Sequence, residues 1–95
     1  MTRNHLNFDD IEDYLVEQVV PSIKSDEGEH AALLFSVGEG HGAVGALLFG
    51  LHFDARPVPS NIAEVLRRTW PRTSANSDIY EPLDMLTIGP PAPIG

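Results

Sequence analysis

The stretch AALLFSVGEGHGAVGALLFGLHF, residues 31–53, decides the fold predicted for this chain. It holds two apolar runs, residues 31–37 and 43–53, separated by residues 38–42, in which glycine alternates with polar residues. Short apolar runs bounded by turn residues are typical of strands, and a short glycine-rich connection is typical of a β-hairpin. We therefore predict an antiparallel β-hairpin over residues 31–53, with a glycine-rich helix as the alternative.

The second apolar run has apolar side chains on both faces of the predicted strand. Leu47 and Phe49 alternate with Ala46 and Leu48, and successive side chains of a strand point to opposite faces. Two helices of the same chain can cover only one face of such a hairpin well, so the other face needs a partner subunit. We therefore expect a homodimer.

Read as a helix, the same stretch carries a small residue at every fourth position: Gly38, Gly42, Ala46 and Gly50. Stripes of small residues pack helices together in membranes. The strongly apolar residues contribute about -3 to -6 kcal/mol to membrane insertion, and Glu39 with the glycines offsets this gain. We therefore expect no membrane span. Because no apolar run follows the N-terminus as in a signal peptide, we expect a cytoplasmic protein.

An amphipathic helix is predicted over residues 7–20. Its apolar residues step by three or four along the chain, which places them on one face of a helix. Either Asn7 or Asp9 can cap its N-terminus, and Pro21 limits its C-terminus. The apolar stripe consists of Phe8, Ile11, Leu15, Val19 and Ile23.

Acidic residues dominate the outer side of this helix. Asp9, Asp13 and Glu17 are spaced by four and form an acidic strip, which is either a solvated helix face or a surface for a basic partner. Residues 1–30 carry eight acids and two bases, and the whole chain has a net charge of -8. This charge argues against nucleic-acid binding and favours a partner with a basic surface.

A second helix is predicted to begin at Asn61, which with Glu64 has the spacing of a capping box. Arg67 and Arg68 lie near the predicted C-terminus of this helix, where cations complement the macrodipole. Together with Trp70 they form a basic cluster with an aromatic residue. We predict that these three residues bind a partner, although Trp70 at the end of an apolar stripe is also typical of core packing.

The C-terminal part is predicted to hold a short third strand within residues 83–88 and a flexible Pro-rich tail, residues 89–95. The resulting order is α-β-β-α-β. We therefore predict a single α+β domain, residues 1–88, in which two helices pack on the hairpin.

Histidines and carboxylates at the ends of the two apolar runs form an alternative site. The predicted hairpin brings His30 close to His52 at its base, with Glu29 and Asp54 beside them. Such side chains can ligate a transition metal or act as an acid–base pair. No H-x-x-x-H spacing supports a metal site, and the G-x-G-x-x-G pattern of residues 40–45 lacks a ribose-binding acid at the required place. We expect neither a metal nor a cofactor.

The 95-residue chain contains no cysteine, which excludes disulfides and thiol chemistry. Its sequence shows no nucleophile with an oxyanion hole and a substrate pocket. We expect a small acidic non-catalytic interaction protein, in the role of an inhibitor, an immunity protein or a regulatory partner. The alternative is a small enzyme or a metal- or ligand-binding domain. The five arginines against one lysine suit a GC-rich bacterial or phage genome.

Overall fold

The computed structural model describes residues 6–94, which are mostly helical. Within these residues the α-helices are α1 (Phe8–Tyr14), α2 (Glu27–Ser36), α3 (Gly40–Phe53), α4 (Ser60–Thr69) and α5 (Ser77–Met85), and the strands are β1 (Val58–Pro59) and β2 (Ile88–Gly89). Residues 1–5 of the predicted domain and Gly95 of the predicted tail lie outside the described residues.

The first helix begins at the predicted cap, Asn7. Its side-chain oxygen accepts a hydrogen bond from the Asp10 N–H at 3.1 Å, and the Asp10 carboxylate accepts one from the Asn7 N–H at 2.8 Å. After α1 the chain continues through a wide π-helical turn, Leu15–Val19, and a 3-10 turn, Val20–Ser22. The helix predicted over residues 7–20 is confirmed as this continuous helical segment. Four residues of the predicted stripe are buried: Ile11, Leu15, Val19 and Ile23.

The predicted antiparallel β-hairpin over residues 31–53 is wrong, because this stretch lies in the two packed helices α2 and α3. They are joined by a short turn in which Gly38 has a φ of +80°, a conformation that favours glycine. Most of α3 is buried, so it has no polar face and shows no amphipathic period in the sequence. A short apolar run of this kind looks the same whether it forms a buried strand or a buried helix.

Glycines allow α2 and α3 to pack closely against the segment that follows α1. A Cβ built on Gly50 of α3 would lie 2.8 Å from Cγ2 of Ile23, and one built on Gly28 of α2 would lie 3.1 Å from Ile23 Cβ. The Ile23 side chain therefore packs between α2 and α3 against their glycines, Gly28 and Gly50. Of the small-residue stripe noted in the sequence, Gly50 serves this close packing, whereas Gly38 lies in the turn and Gly42 makes only an ordinary contact with Leu34.

The strands form a two-stranded parallel sheet, in which Val58 pairs with Ile88 and Pro59 with Gly89. The prediction of an α+β fold in α-β-β-α-β order is therefore corrected to a mostly helical fold with a small parallel sheet. Residues 83–85, placed in the predicted third strand, belong to the end of α5, and only Ile88 lies in a strand.

The helix α5 was not predicted, since Pro82 lies inside it. Proline removes one helical N–H donor, so the carbonyl of Asp78 has no helical partner at residue 82. That carbonyl faces α3, where a Cβ on Gly45 would lie 3.0 Å from the Asp78 oxygen. The close approach of α3 depends on glycine at this position.

The described residues form a single compact domain around one hydrophobic core, with a radius of gyration of 12.5 Å. The central helix α3 packs against α2 on one side and α5 on another, and α1 packs against α4. The largest fully buried side chains are Ile11, Leu15, Val44, Leu47, Leu48, Leu51, Val58, Ile62, Val65, Leu66, Ile79 and Leu83.

Candidate functional site

Asn61, in the first turn of α4, holds the C-terminal segment through its side-chain amide. Its Nδ2 donates a hydrogen bond to the Ala92 carbonyl at 2.9 Å, and its Oδ1 accepts one from the Ala92 N–H at 2.9 Å. The predicted capping box with Glu64 is therefore wrong: α4 begins at Ser60 after Pro59, and no side chain caps it. A side chain that bonds both polar groups of one residue imitates a neighbouring strand.

The segment held in this way, residues 87–94, is named here the C-terminal strap. It begins at the sheet, where the Val58 N–H donates to the Thr87 carbonyl at 2.9 Å. Further along, Ala92 is buried and Ile94 packs against the core. Most of the predicted flexible tail therefore lies against the domain in the structure, and its mobility in solution stays a prediction.

A cleft of about 580 Å³ lies beside the strap. The exposed Arg68 spans part of it, pairing with Glu64 at 3.6 Å between Nη1 and Oε2 and donating to the Leu6 carbonyl. The exposed Arg67 lines the same cleft. The remaining lining residues are Ser60, Asn61, Ala63 and Ile88.

Trp70, the aromatic member of the predicted basic cluster, is half-buried in an aromatic cluster. Its ring packs edge to face with Phe8 at 5.0 Å and with His41 at 5.4 Å between ring centroids. Asn76 Nδ2 donates to the Pro71 carbonyl at 2.7 Å, which turns Asn76 Oδ1 toward His41 Nε2 at 3.1 Å. Because an amide oxygen can only accept, this hydrogen bond requires the proton of His41 on Nε2.

An ion pair joins the loop after α4 to α5. Arg72 donates two hydrogen bonds to the Asp84 carboxylate, at 2.9 and 2.7 Å, and its guanidinium lies 4.3 Å from the centre of the Tyr80 ring. The hydrogen bond from Arg72 lowers the pKa of Asp84, and the same bond raises the pKa of Arg72. Sequence reasoning missed this pair because α5 was not predicted.

All three residues of the acidic strip, Asp9, Asp13 and Glu17, are exposed. No ion pair engages them within the described residues.

Three of the four residues of the alternative metal site lie on helices rather than on paired strands, and Asp54 directly follows α3. Glu29 and His30 lie on α2 and His52 lies on α3, while Asp54 accepts a hydrogen bond from the Lys24 N–H at 2.7 Å. His30 Nδ1 lies 3.5 Å from the Glu27 carboxylate instead. Among residues 6–94, no group of three or more His, Asp or Glu side chains could hold a metal ion.

Three large apolar side chains on α2, on α3 and in the turn between them are exposed. Leu33, Val37 and Phe53, named together the hairpin patch, have relative exposures of 61%, 61% and 60%. Leu33 and Val37 are one turn apart at the C-terminal end of α2, whereas Phe53 ends α3 at the other end of the helical hairpin. Phe53 stacks on the half-buried Phe49 with 6.0 Å between ring centroids.

In the part of the chain that the structure describes, no helix has the length and apolar character to span a membrane. No family model, curated protein or solved structure matches the chain.

Proposed function

We propose that the protein is a small acidic non-catalytic interaction domain, an inhibitor, immunity protein or regulatory partner, that binds a protein with a basic surface. The observation that carries this proposal is the hairpin patch. A single exposed apolar residue is ordinary on a soluble protein, whereas Leu33 and Val37 are one helical turn apart and both more than half exposed, and such an exposed apolar pair favours an interaction site.

The charge around the hairpin patch supports a basic partner. Glu29 on α2 and Glu39 in the turn are exposed, and they belong to a chain with a net charge of -8. Charges of one sign accelerate association with a partner of opposite sign, while buried apolar anchors supply most of the affinity. In this proposal the patch anchors the partner and the acidic residues steer it.

The acidic strip and the basic cluster take different roles in the proposal. Asp9, Asp13 and Glu17 contribute to the electrostatic field that guides the partner. Arg67 and Arg68 are exposed and can contact an acidic part of the partner, whereas Trp70 is engaged with Phe8 and His41 and acts by positioning the loop after α4.

Site-specific photo-crosslinking in the native host tests the patch. A photoreactive residue replaces Val37, and a matched variant carries it at Ala75, an exposed residue in the turn before α5. We expect one protein with a basic surface to be captured from position 37 and not from position 75. Equal capture from both positions would count against the patch as an interface.

The association rate with the captured and purified protein tests the charge argument. We expect the rate to fall at least tenfold between about 0.05 and 0.5 M salt, since screening shortens the range of the field. Reversing Asp9, Asp13 and Glu17 to Lys should slow association more than the same reversal at Glu64, Asp78 and Glu81. A rate independent of salt would refute electrostatic steering.

A further inference from the structure

We propose that the edge formed by β1 and the first turn of α4 is a peptide-binding site for an extended, proline-flanked segment, with the C-terminal strap as its resident ligand. This site is separate from the hairpin patch and does not depend on the function proposed above. Its ligand chemistry follows from the occupant that the structure places there.

Recognition of the strap uses the main chain. The Val58 N–H donates to the Thr87 carbonyl, β1 pairs with β2, and Asn61 bonds both polar groups of Ala92. An extended peptide that adds a strand to an exposed edge is held in the same way, with affinity from main-chain hydrogen bonds. The Asn61 amide continues this pattern beyond the end of the two-residue sheet.

The position of Asn61 selects one residue of the strap. Pro90, Pro91 and Pro93 have no N–H, so Ala92 provides the single main-chain donor within residues 90–93, and this donor meets Asn61 Oδ1. Ala92 is also buried, with a relative exposure of 9%, which favours a small side chain there. The site therefore selects a small residue with a free N–H, and the exposed prolines on either side leave Ala92 as the one donor available to Asn61.

Gly89 sets a second requirement. A Cβ at this position would lie 3.0 Å from Cβ and 3.1 Å from Cγ of Pro57, whose ring cannot rotate away. The recognised segment therefore needs glycine at the position of Gly89, a small residue with a free N–H three positions later, and an apolar residue at the position of Ile94, which packs against the core.

A free peptide competes with the tethered strap. A short tether gives an effective concentration on the order of 1 mM. For an intrinsic Kd of about 0.1 mM, the strap then occupies the site about nine-tenths of the time, which weakens a free peptide roughly tenfold. A variant that releases the strap but keeps Asn61 should therefore regain this tenfold in affinity for the free peptide.

The test is fluorescence anisotropy with a labelled peptide of sequence TIGPPAPIG, corresponding to residues 87–95. Two independent full-length variants release the strap, Gly89→Val through contact with Pro57 and Ala92→Pro through loss of the N–H donor. We expect each to bind the peptide about tenfold more tightly than the unaltered protein. A peptide with proline in place of the alanine should not bind, and Asn61→Ala in either background should abolish binding.

Two results would overturn the proposal. One is a folded release variant, judged by its circular dichroism and melting temperature, that binds the peptide no more tightly than the unaltered protein. If one variant fails to fold, the other gives the answer. The second result has two parts: the unaltered protein is a dimer that Asn61→Ala dissociates, and the free peptide binds to no variant. The site would then bind the strap of a second copy.

Discussion

Replacing Gly50 and Gly42 of α3 separately by alanine tests the packing of the helical hairpin. Both substitutions add the same methyl group to the same helix. At Gly50 the new Cβ would lie 2.8 and 3.0 Å from Cγ2 and Cδ1 of Ile23, whereas at Gly42 the nearest contact is Leu34 Cδ1 at 3.6 Å. Ile23 cannot move aside easily, because its β-branched side chain is stiff at χ1 and also lies against Gly28.

Gly42→Ala should stabilise the protein, and Gly50→Ala should not. Alanine is favoured over glycine within a helix by about 1 kcal/mol, and this gain applies at both positions. Overpacking a well-filled core costs about 1 to 3 kcal/mol, and this cost applies at Gly50 alone. We therefore expect Gly42→Ala to stabilise the protein by about 0.5 to 1 kcal/mol and Gly50→Ala to destabilise it by about 0 to 2 kcal/mol.

Urea denaturation followed by circular dichroism measures both free energies of unfolding. The unaltered protein is the common reference, and equal m-values in all three proteins would show that the comparison is sound. A β-hairpin with its tip at residues 38–42 gives a different result, because Gly42 would then serve a turn. Destabilisation by Gly42→Ala, or stabilisation by Gly50→Ala of about 1 kcal/mol, would refute the helical packing.

Three further predictions concern the turn, the ion pair and self-association. Gly38→Ala should destabilise the protein by about 1 kcal/mol, because alanine is strained at a φ of +80°, and the same urea titration measures this. Since the pKa of Asp84 is lowered by Arg72, the pair stabilises the fold above the ordinary carboxyl range, and this contribution is lost as the pH falls through the lowered pKa. The stability difference between the unaltered protein and Asp84→Asn should therefore be largest near pH 7 and vanish in strong acid. The homodimer is expected from the sequence because one face of a β-hairpin would be uncovered; the helical fold removes that reason, and the dimer stays a prediction. Light scattering at about 50 μM should then give twice 10.4 kDa, and a monomer of 10.4 kDa would contradict the dimer.

The sequence predicts those parts of the fold whose signals are local. Asn7, one of the two predicted caps, begins α1, and the stripe from Ile11 to Val19 repeats at helical spacing because one side faces water. The burial of Trp70 was also open to prediction, since it ends an apolar stripe.

Other parts depend on contacts between segments that are distant in the sequence. The period of α3 is hidden because α2, α5 and the segment after α1 cover it on several sides. The helix α5 tolerates Pro82, and the carbonyl this leaves without a helical partner lies against Gly45 of α3.

The candidate sites show the same limit. Asn61 has the local spacing of a cap, yet it bonds Ala92, thirty-one residues away. The Arg72–Asp84 pair requires α5 to be a helix. The exposure of the hairpin patch could not be read from the sequence either, because it depends on residues 31–53 being helical.

Backbone NMR of the unaltered protein tests the central claim most directly, because the exposure of the hairpin patch depends on α2 and α3 being helices. The measurement is the 13Cα secondary chemical shift of residues 27–53. The structure predicts continuous positive, helical values over Glu27–Ser36 and Gly40–Phe53, interrupted at Val37, Gly38 and Glu39. Negative, extended values on both sides of residues 38–42, with contacts between Hα atoms across two strands, would contradict the helical hairpin and the interface proposed on it.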